Sequence, residues 1–246
     1  MDTKPLKLVI FDCDGTLVDS QHMICAAMRQ AYEANNLSVP AREHLLAIVG
    51  LSLPDAFRRL AMHSADVADH PVDSLVTCYK SAFADLRNLD DHLEPLYPGV
   101  RETLDALAAR PDTLLGVATG KSQRGVRAVL GRHGLAERFA TIQTADDAPS
   151  KPHPGMVLAA LRATGAEPHD TVVVGDTVYD LEMAHAAGVR AIGVAWGYHP
   201  ASALAAAGAA AMIELFAELV PALERVWGAA SAPDSAHQRA RRPLHG

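Results

Sequence analysis

Apolar residues along this chain fall into two alternating periods. Short unbroken runs have the length and β-forming composition of strands buried on both faces: Leu8-Val9-Ile10-Phe11, Leu114-Leu115-Gly116-Val117-Ala118, Thr141-Ile142-Gln143, Thr171-Val172-Val173-Val174, Ala191-Ile192-Gly193-Val194 and Ala210-Ala211-Met212-Ile213. Between them, apolar positions recur at helical spacing. Pro98 opens a helix through Val100, Leu104 and Leu107, and Ser122 is placed to cap one through Val126, Val129 and Leu130 that Gly134 ends. Pro154 starts a third, carrying Val157, Leu158 and Leu161 as far as Gly165, and a fourth spans Leu181 to Ala187 with Gly188 behind it. Strand and helix alternating at this spacing predict parallel strands joined by right-handed crossovers.

One stretch breaks the rhythm. Residues 18–93 carry no strand signal and read as four helices, about 20–35, 40–49, 53–63 and 71–90, with apolar stripes such as Met23, Ala27, Met28, Ala31 and Leu75, Val76, Tyr79, Phe83. The pattern predicts an α/β fold: a Rossmann-like parallel sheet core with helices on both faces (residues 1–17 and 94–228), plus an inserted α-helical cap domain (residues 18–93). Two connections, Gly15 to Ser20 and Leu93 to Gly99, form the joint. Residues 229–246, rich in Ala, Ser, Pro, His and Arg without periodicity, are expected to be a disordered tail.

Composition narrows the function. A net charge of −7 argues against nonspecific nucleic-acid binding, which needs a basic face, but leaves room for a small anionic substrate beside local cations. Three cysteines without a CxxC pair fit a reduced, cytoplasmic setting. The N-terminal apolar run is too short for a signal peptide, and Ala201 to Ile213 is too short and weakly apolar to span a bilayer. The histidines form no HxH or HExxH pattern, so no zinc site is expected. Monomer and homodimer both remain open.

The chemistry concentrates where strands end. Asp12 and Asp14 follow the first strand two residues apart, where an extended backbone points both the same way. Thr119-Gly120 follows the second strand, Lys151 precedes a helix, and Asp176 and Asp180 follow Val172-Val173-Val174. In a parallel sheet these residues share one edge, the edge at which open α/β folds bind ligands. Such a set suits phosphoryl transfer. Asp12 would attack phosphorus, Asp14 would move the proton, and Thr119 and Gly120 with Lys151 would receive the phosphoryl oxygens. A Mg²⁺ ion, which takes hard oxygen ligands, would sit on the carboxylates of Asp12 and Asp176 and the Asp14 carbonyl.

The order Asp12-x-Asp14-Gly15-Thr16-Leu17-Val18-Asp19-Ser20, then Lys151-Pro152-x-Pro154, then Gly175-Asp176-x-x-x-Asp180 resembles the haloacid dehalogenase-like superfamily. The likeness runs over about residues 6–227 and is strongest to the phosphoglycolate phosphatase-like branch, whose helical cap follows the first motif. It implies Asp12 as nucleophile, Asp14 as general acid/base, Thr119 and Lys151 as phosphate ligands, Asp176 on Mg²⁺, and Asp180 orienting waters or Lys151. Gly120 departs from the pattern, where many relatives have Asn, and so implies a lost side-chain contact. The cap would choose the substrate, chiefly through the turn Gly50-Leu51-Ser52-Leu53, with Gly50 and Ser52 as candidate substrate contacts. Arg58 is a further candidate for gripping a second anionic group. Asp14 favours phosphate-ester hydrolysis of a small phosphorylated metabolite over carbon–halogen or phosphonate chemistry. A sugar-phosphate mutase, a pyrophosphatase and a noncatalytic phosphate-binding or signalling module remain as alternatives.

Overall fold

A computed structural model describes residues 5–62, 70–89 and 94–231. Six strands, β1 (Lys7–Phe11), β2 (Thr113–Thr119), β3 (Thr141–Thr144), β4 (Thr171–Gly175), β5 (Arg190–Val194) and β6 (Ala211–Ile213), form one parallel sheet in the order β3-β2-β1-β4-β5-β6. Each apolar run read from the sequence is a strand. The strand order reverses between β1 and β4, which opens a crevice at their C-terminal ends.

β1 shows why the runs are continuous. Val9 and Phe11 enter one buried cluster, with α5 (Val100–Ala108), α6 (Gln123–Arg132) and α10 (Leu219–Ser231). Leu8 and Ile10 enter the opposite cluster, with α7 (Gly155–Thr164), α8 (Val178–Ala186) and α9 (Ala201–Ala206). Both faces of the sheet are covered, so the four buried positions from Leu8 to Phe11 are all apolar until the chain leaves the strand at Asp12. Phe11 is in register with Val117 on β2 and Val174 on β4, so the residues just beyond these strands emerge level with one another.

Residues of the insertion form α1 (Gln21–Ala34), α2 (Arg42–Leu46), α3 (Leu53–Ala61) and α4 (Val72–Leu89), around a third apolar cluster. Met23, Met28, Tyr32, Phe57 and Leu75 are buried there, each contributing about 1.5–3 kcal/mol by leaving water. The two connections to the core pair with each other: Asp19 N–H donates to Pro95 O (2.8 Å) and Tyr97 N–H to Leu17 O (3.0 Å).

Three boundaries differ from the sequence reading. α8 begins at Val178 rather than Leu181, because Thr177 and Asp180 close a reciprocal cap around its first turn. α2 is only five residues long, and a turn carries the chain from it to Gly50. α10 continues to Ser231, so residues 229–231 of the expected disordered tail are helical; the rest of that tail lies outside the described residues. Among the described residues, no helix is long and apolar enough to cross a membrane.

Candidate active site

Asp12 leaves β1 still bonded to the sheet, its N–H donating to Val174 O at 2.9 Å, and its carboxylate is buried. Three carboxylates meet there: Asp12, Asp176 and Asp180 each place an oxygen within 4.8 Å of the others. Asp176 Oδ1 accepts from the Thr16 hydroxyl (2.8 Å) and Oδ2 from the Tyr198 N–H (2.9 Å). Asp180 Oδ2 accepts from Thr177 N–H (3.0 Å) and its hydroxyl (2.7 Å), the same contacts that start α8. Gly15 makes the meeting possible. Its φ is +84°, and a Cβ there would lie 2.2 Å from Asp176 Oδ2.

Lys151 supplies the cation at the centre of this cluster. Its buried Nζ donates to Asp180 Oδ1 at 2.6 Å and stands 2.9 Å from Asp12 Oδ1. One ammonium facing three buried carboxylates leaves an excess of negative charge. Burial, opposed by Lys151 and reinforced by Asp180, raises the Asp12 carboxyl to about 7. Burial and the neighbouring Asp180 and Asp12 also raise Asp176. Asp12 Oδ2 accepts no hydrogen bond from any described residue. Hard oxygen donors, a surplus of negative charge and an unsatisfied buried oxygen fit a small divalent cation.

Asp14 is turned elsewhere. Its Oδ1 accepts from Lys121 Nζ (2.5 Å) and from the Ser20 hydroxyl. Lys121 Nζ also lies 3.2 Å from Glu94 Oε1, and Glu94 is fully buried and bound by Arg87 through Nε (2.9 Å) and Nη2 (3.3 Å). Burial alone would lower the Lys121 ammonium, but Asp14 and Glu94 outweigh it and raise it. Burial pushes Glu94 up, while Lys121 and Arg87 pull it below the usual carboxylate range. The third carboxylate of the acidic cluster is thus Asp180 and not Asp14. Lys121 and Glu94 were missed from the sequence; Thr16 belongs to the first motif, and only the fold shows that its hydroxyl bonds Asp176. Lys121 follows Thr119-Gly120 at a site strand end and could have been suspected; Glu94 had no local signal.

Thr119 is buried beside the two aspartates, its Oγ1 accepting from Lys121 N–H at 3.2 Å. At Gly120, a Cβ would lie 2.5 Å from Leu51 O and 2.6 Å from Gly50 O. The missing side chain therefore does more than remove a contact: the cap's backbone occupies that space. Ser52 is not among the residues lining the cavity. Its hydroxyl donates to Asp55 Oδ2 (2.8 Å) at the start of α3, and its N–H donates to Ser150 Oγ (2.8 Å), fastening the cap turn next to Lys151. Arg58 is exposed and paired with Asp55 at 2.8 Å, outside that lining as well. Gly50 and Gly120 do line a cavity of about 560 Å³ between cap and core, whose floor holds Asp12, Asp14 and Thr119.

Residues 9–194 match the haloacid dehalogenase-like hydrolase family model. The chain is 37% identical to the probable phosphatase IndB of Dickeya dadantii, over 93% of this chain and 98% of that one. It is 32% identical to the pyrophosphatase PpaX of Bacillus pumilus, over 83% and 90% of the two chains. A crystal structure of a predicted phosphoglycolate phosphatase from Haemophilus somnus superposes with a TM-score of 0.76 at 26% identity, over 89% of this chain and 98% of that one.

Proposed function

The chain belongs to the haloacid dehalogenase-like hydrolase family and is a phosphatase by its relatives, and from that premise we propose that it hydrolyses a phosphomonoester with Mg²⁺ through an aspartyl-phosphate on Asp12. The observation that carries this reading is the setting of Asp12. Its carboxylate sits on the cavity floor with Oδ2 unsatisfied and Oδ1 2.9 Å from Lys151 Nζ.

In this reading an Asp12 oxygen attacks phosphorus and the bond from phosphorus to the leaving oxygen breaks. Asp14 gives that oxygen its proton, then takes one from the water that splits the acyl phosphate and releases inorganic phosphate. Lys151 and the Thr119 hydroxyl meet the phosphoryl oxygens as charge spreads over them, while Asp180 holds Lys151 in place. Asp12 and Asp176, with the Asp14 carbonyl and Asp180 beside them, would hold Mg²⁺. When bound, the ion offsets the repulsion between an anionic nucleophile and an anionic substrate.

Phosphate release from a panel of esters, with and without Mg²⁺, tests this. Asp12→Asn is expected to fold and to release no phosphate, and exhaustive chelation is expected to abolish turnover. Substantial Asp12→Asn activity would remove the nucleophile assignment.

A further inference from the structure

We propose that the leaving group carried by the substrate is bulky and apolar, an arylalkyl alcohol in chemical class; this rests on the reading of Asp12 and Asp14 as a phosphatase centre. The cavity has two unlike ends. Its reacting floor is polar, with Asp12, Asp14, Thr119 and Lys121. Its cap wall is largely apolar, formed by Ile24, Met28, Ile48, Leu51 and the rings of Tyr79 and Phe83, with Lys80, Arg87 and Asn88 of α4 beside them.

Size points the same way. At about 30 Å³ per water, 560 Å³ would hold roughly 19 waters. A phosphorylated two-carbon acid or a pyrophosphate displaces only a few of them and leaves the apolar wall wet. The second anionic group of either ligand finds its counter-charges at Lys80, Arg87 and Arg124, and not among Ile24, Met28, Ile48 and Leu51. Set against those four residues it would be buried without a partner, which is costly. Of the cations, Arg87 is already engaged: it binds Glu94 and lies 5.0 Å over the Phe83 ring. Lys80 and Arg124 also line the cavity but are exposed, where an ion pair is worth little. An aromatic or branched hydrocarbon body instead displaces the waters and covers Ile24, Met28, Ile48, Leu51 and the Tyr79 ring, while Arg87 and Lys121 flank the Phe83 ring.

The test uses the Mg²⁺-loaded protein and a series of ethyl, butyl, hexyl, phenylethyl and naphthylmethyl phosphates, alongside phosphoglycolate and pyrophosphate. kcat/KM is expected to climb about fourfold per buried methylene until the cavity is filled, and the arylalkyl esters to exceed both phosphoglycolate and pyrophosphate. Dissociation constants for the same series, measured on Asp12→Asn by calorimetry, are expected to rank alike. A flat series, or a preference for phosphoglycolate or pyrophosphate with Asp12-dependent turnover, overturns the apolar leaving group while the phosphatase reading stands. Affinity that climbs with apolar size but no hydrolysis of any ester keeps the pocket's ligand class and removes the phosphatase reading. No turnover together with flat affinity overturns both.

Discussion

Lys121 Nζ reaches Asp14 Oδ1 at 2.5 Å, which ties the second aspartate of the motif to the start of α6 and separates it from the three acids around Lys151. The same ammonium is one of the cations answering the buried Glu94. Lys121 therefore holds Asp14, the group proposed to move the proton, and offsets the charge of Glu94 at the joint between cap and core.

Those two roles can be separated. Lys121→Met is expected to lower kcat by about 100-fold, the low end of what a positioned acid/base group provides, and to cost about 1–3 kcal/mol by leaving Glu94 short of a partner. Adding Glu94→Gln should recover most of the melting temperature and none of kcat. Recovery of both in the double variant would reduce Lys121 to a structural counter-ion.

Lys151 faces a larger imbalance. Lys151→Met leaves Asp12, Asp176 and Asp180 buried together with no cation among them. Breaking a buried pair from one side costs about 3–5 kcal/mol. The variant should melt well below the wild type in chelator and regain part of the difference in Mg²⁺. A melting temperature unchanged in chelator would contradict the charge balance described for the cluster.

The fold was legible in the sequence because burial on both faces of a parallel sheet forces continuous apolar runs, as in Leu8-Val9-Ile10-Phe11, and because the cap stripes hold helical spacing. The acids and Lys151 were legible because strand register brings strand ends to one edge. Glu94 was not, since its partners Arg87, Lys121 and Arg132 come from α4, the end of β2 and α6, which only the fold brings together. Ser52 misled for the opposite reason. A serine before Leu-Pro-Asp is first a helix cap, and that local demand took its hydroxyl away from the cavity. α8 starts three residues ahead of the apolar pattern at Leu181 because Thr177 and Asp180 cap its first turn.

The elevated Asp12 carboxyl predicts that the proposed Mg²⁺ binding depends on pH. Its folded value, about 7, lies above the unfolded 3.8, so whatever stability Asp12 contributes to the metal-free protein is complete below about 4 and is lost as pH rises through 7. A divalent cation needs the ionised carboxylate, so its stabilising effect should run the other way. The rise in melting temperature caused by a fixed Mg²⁺ concentration is expected to grow between pH 5.5 and pH 8. In Asp12→Asn that growth should largely vanish. An equal Mg²⁺ effect at both pH values would place the ion away from Asp12.

Gly120 gives the most direct test of how the cap meets the core. A Cβ at this position would sit 2.5 Å from Leu51 O and 2.6 Å from Gly50 O, both backbone atoms that cannot rotate away. An asparagine at this position should therefore lift the Gly50–Leu53 turn off the β2 edge. The Ser52 N–H to Ser150 Oγ bond, 2.8 Å long, lies in that turn and should break with it. Because the core acids do not depend on this turn, Gly120→Asn should raise KM for a bulky ester by about 10-fold, the worth of roughly two lost methylene contacts. kcat for ethyl phosphate should change less than threefold, and limited proteolysis should cut the cap sooner. Equal loss on both esters, with the cap as resistant as before, would mean that Gly120 acts on the reacting phosphate itself and not through the cap turn.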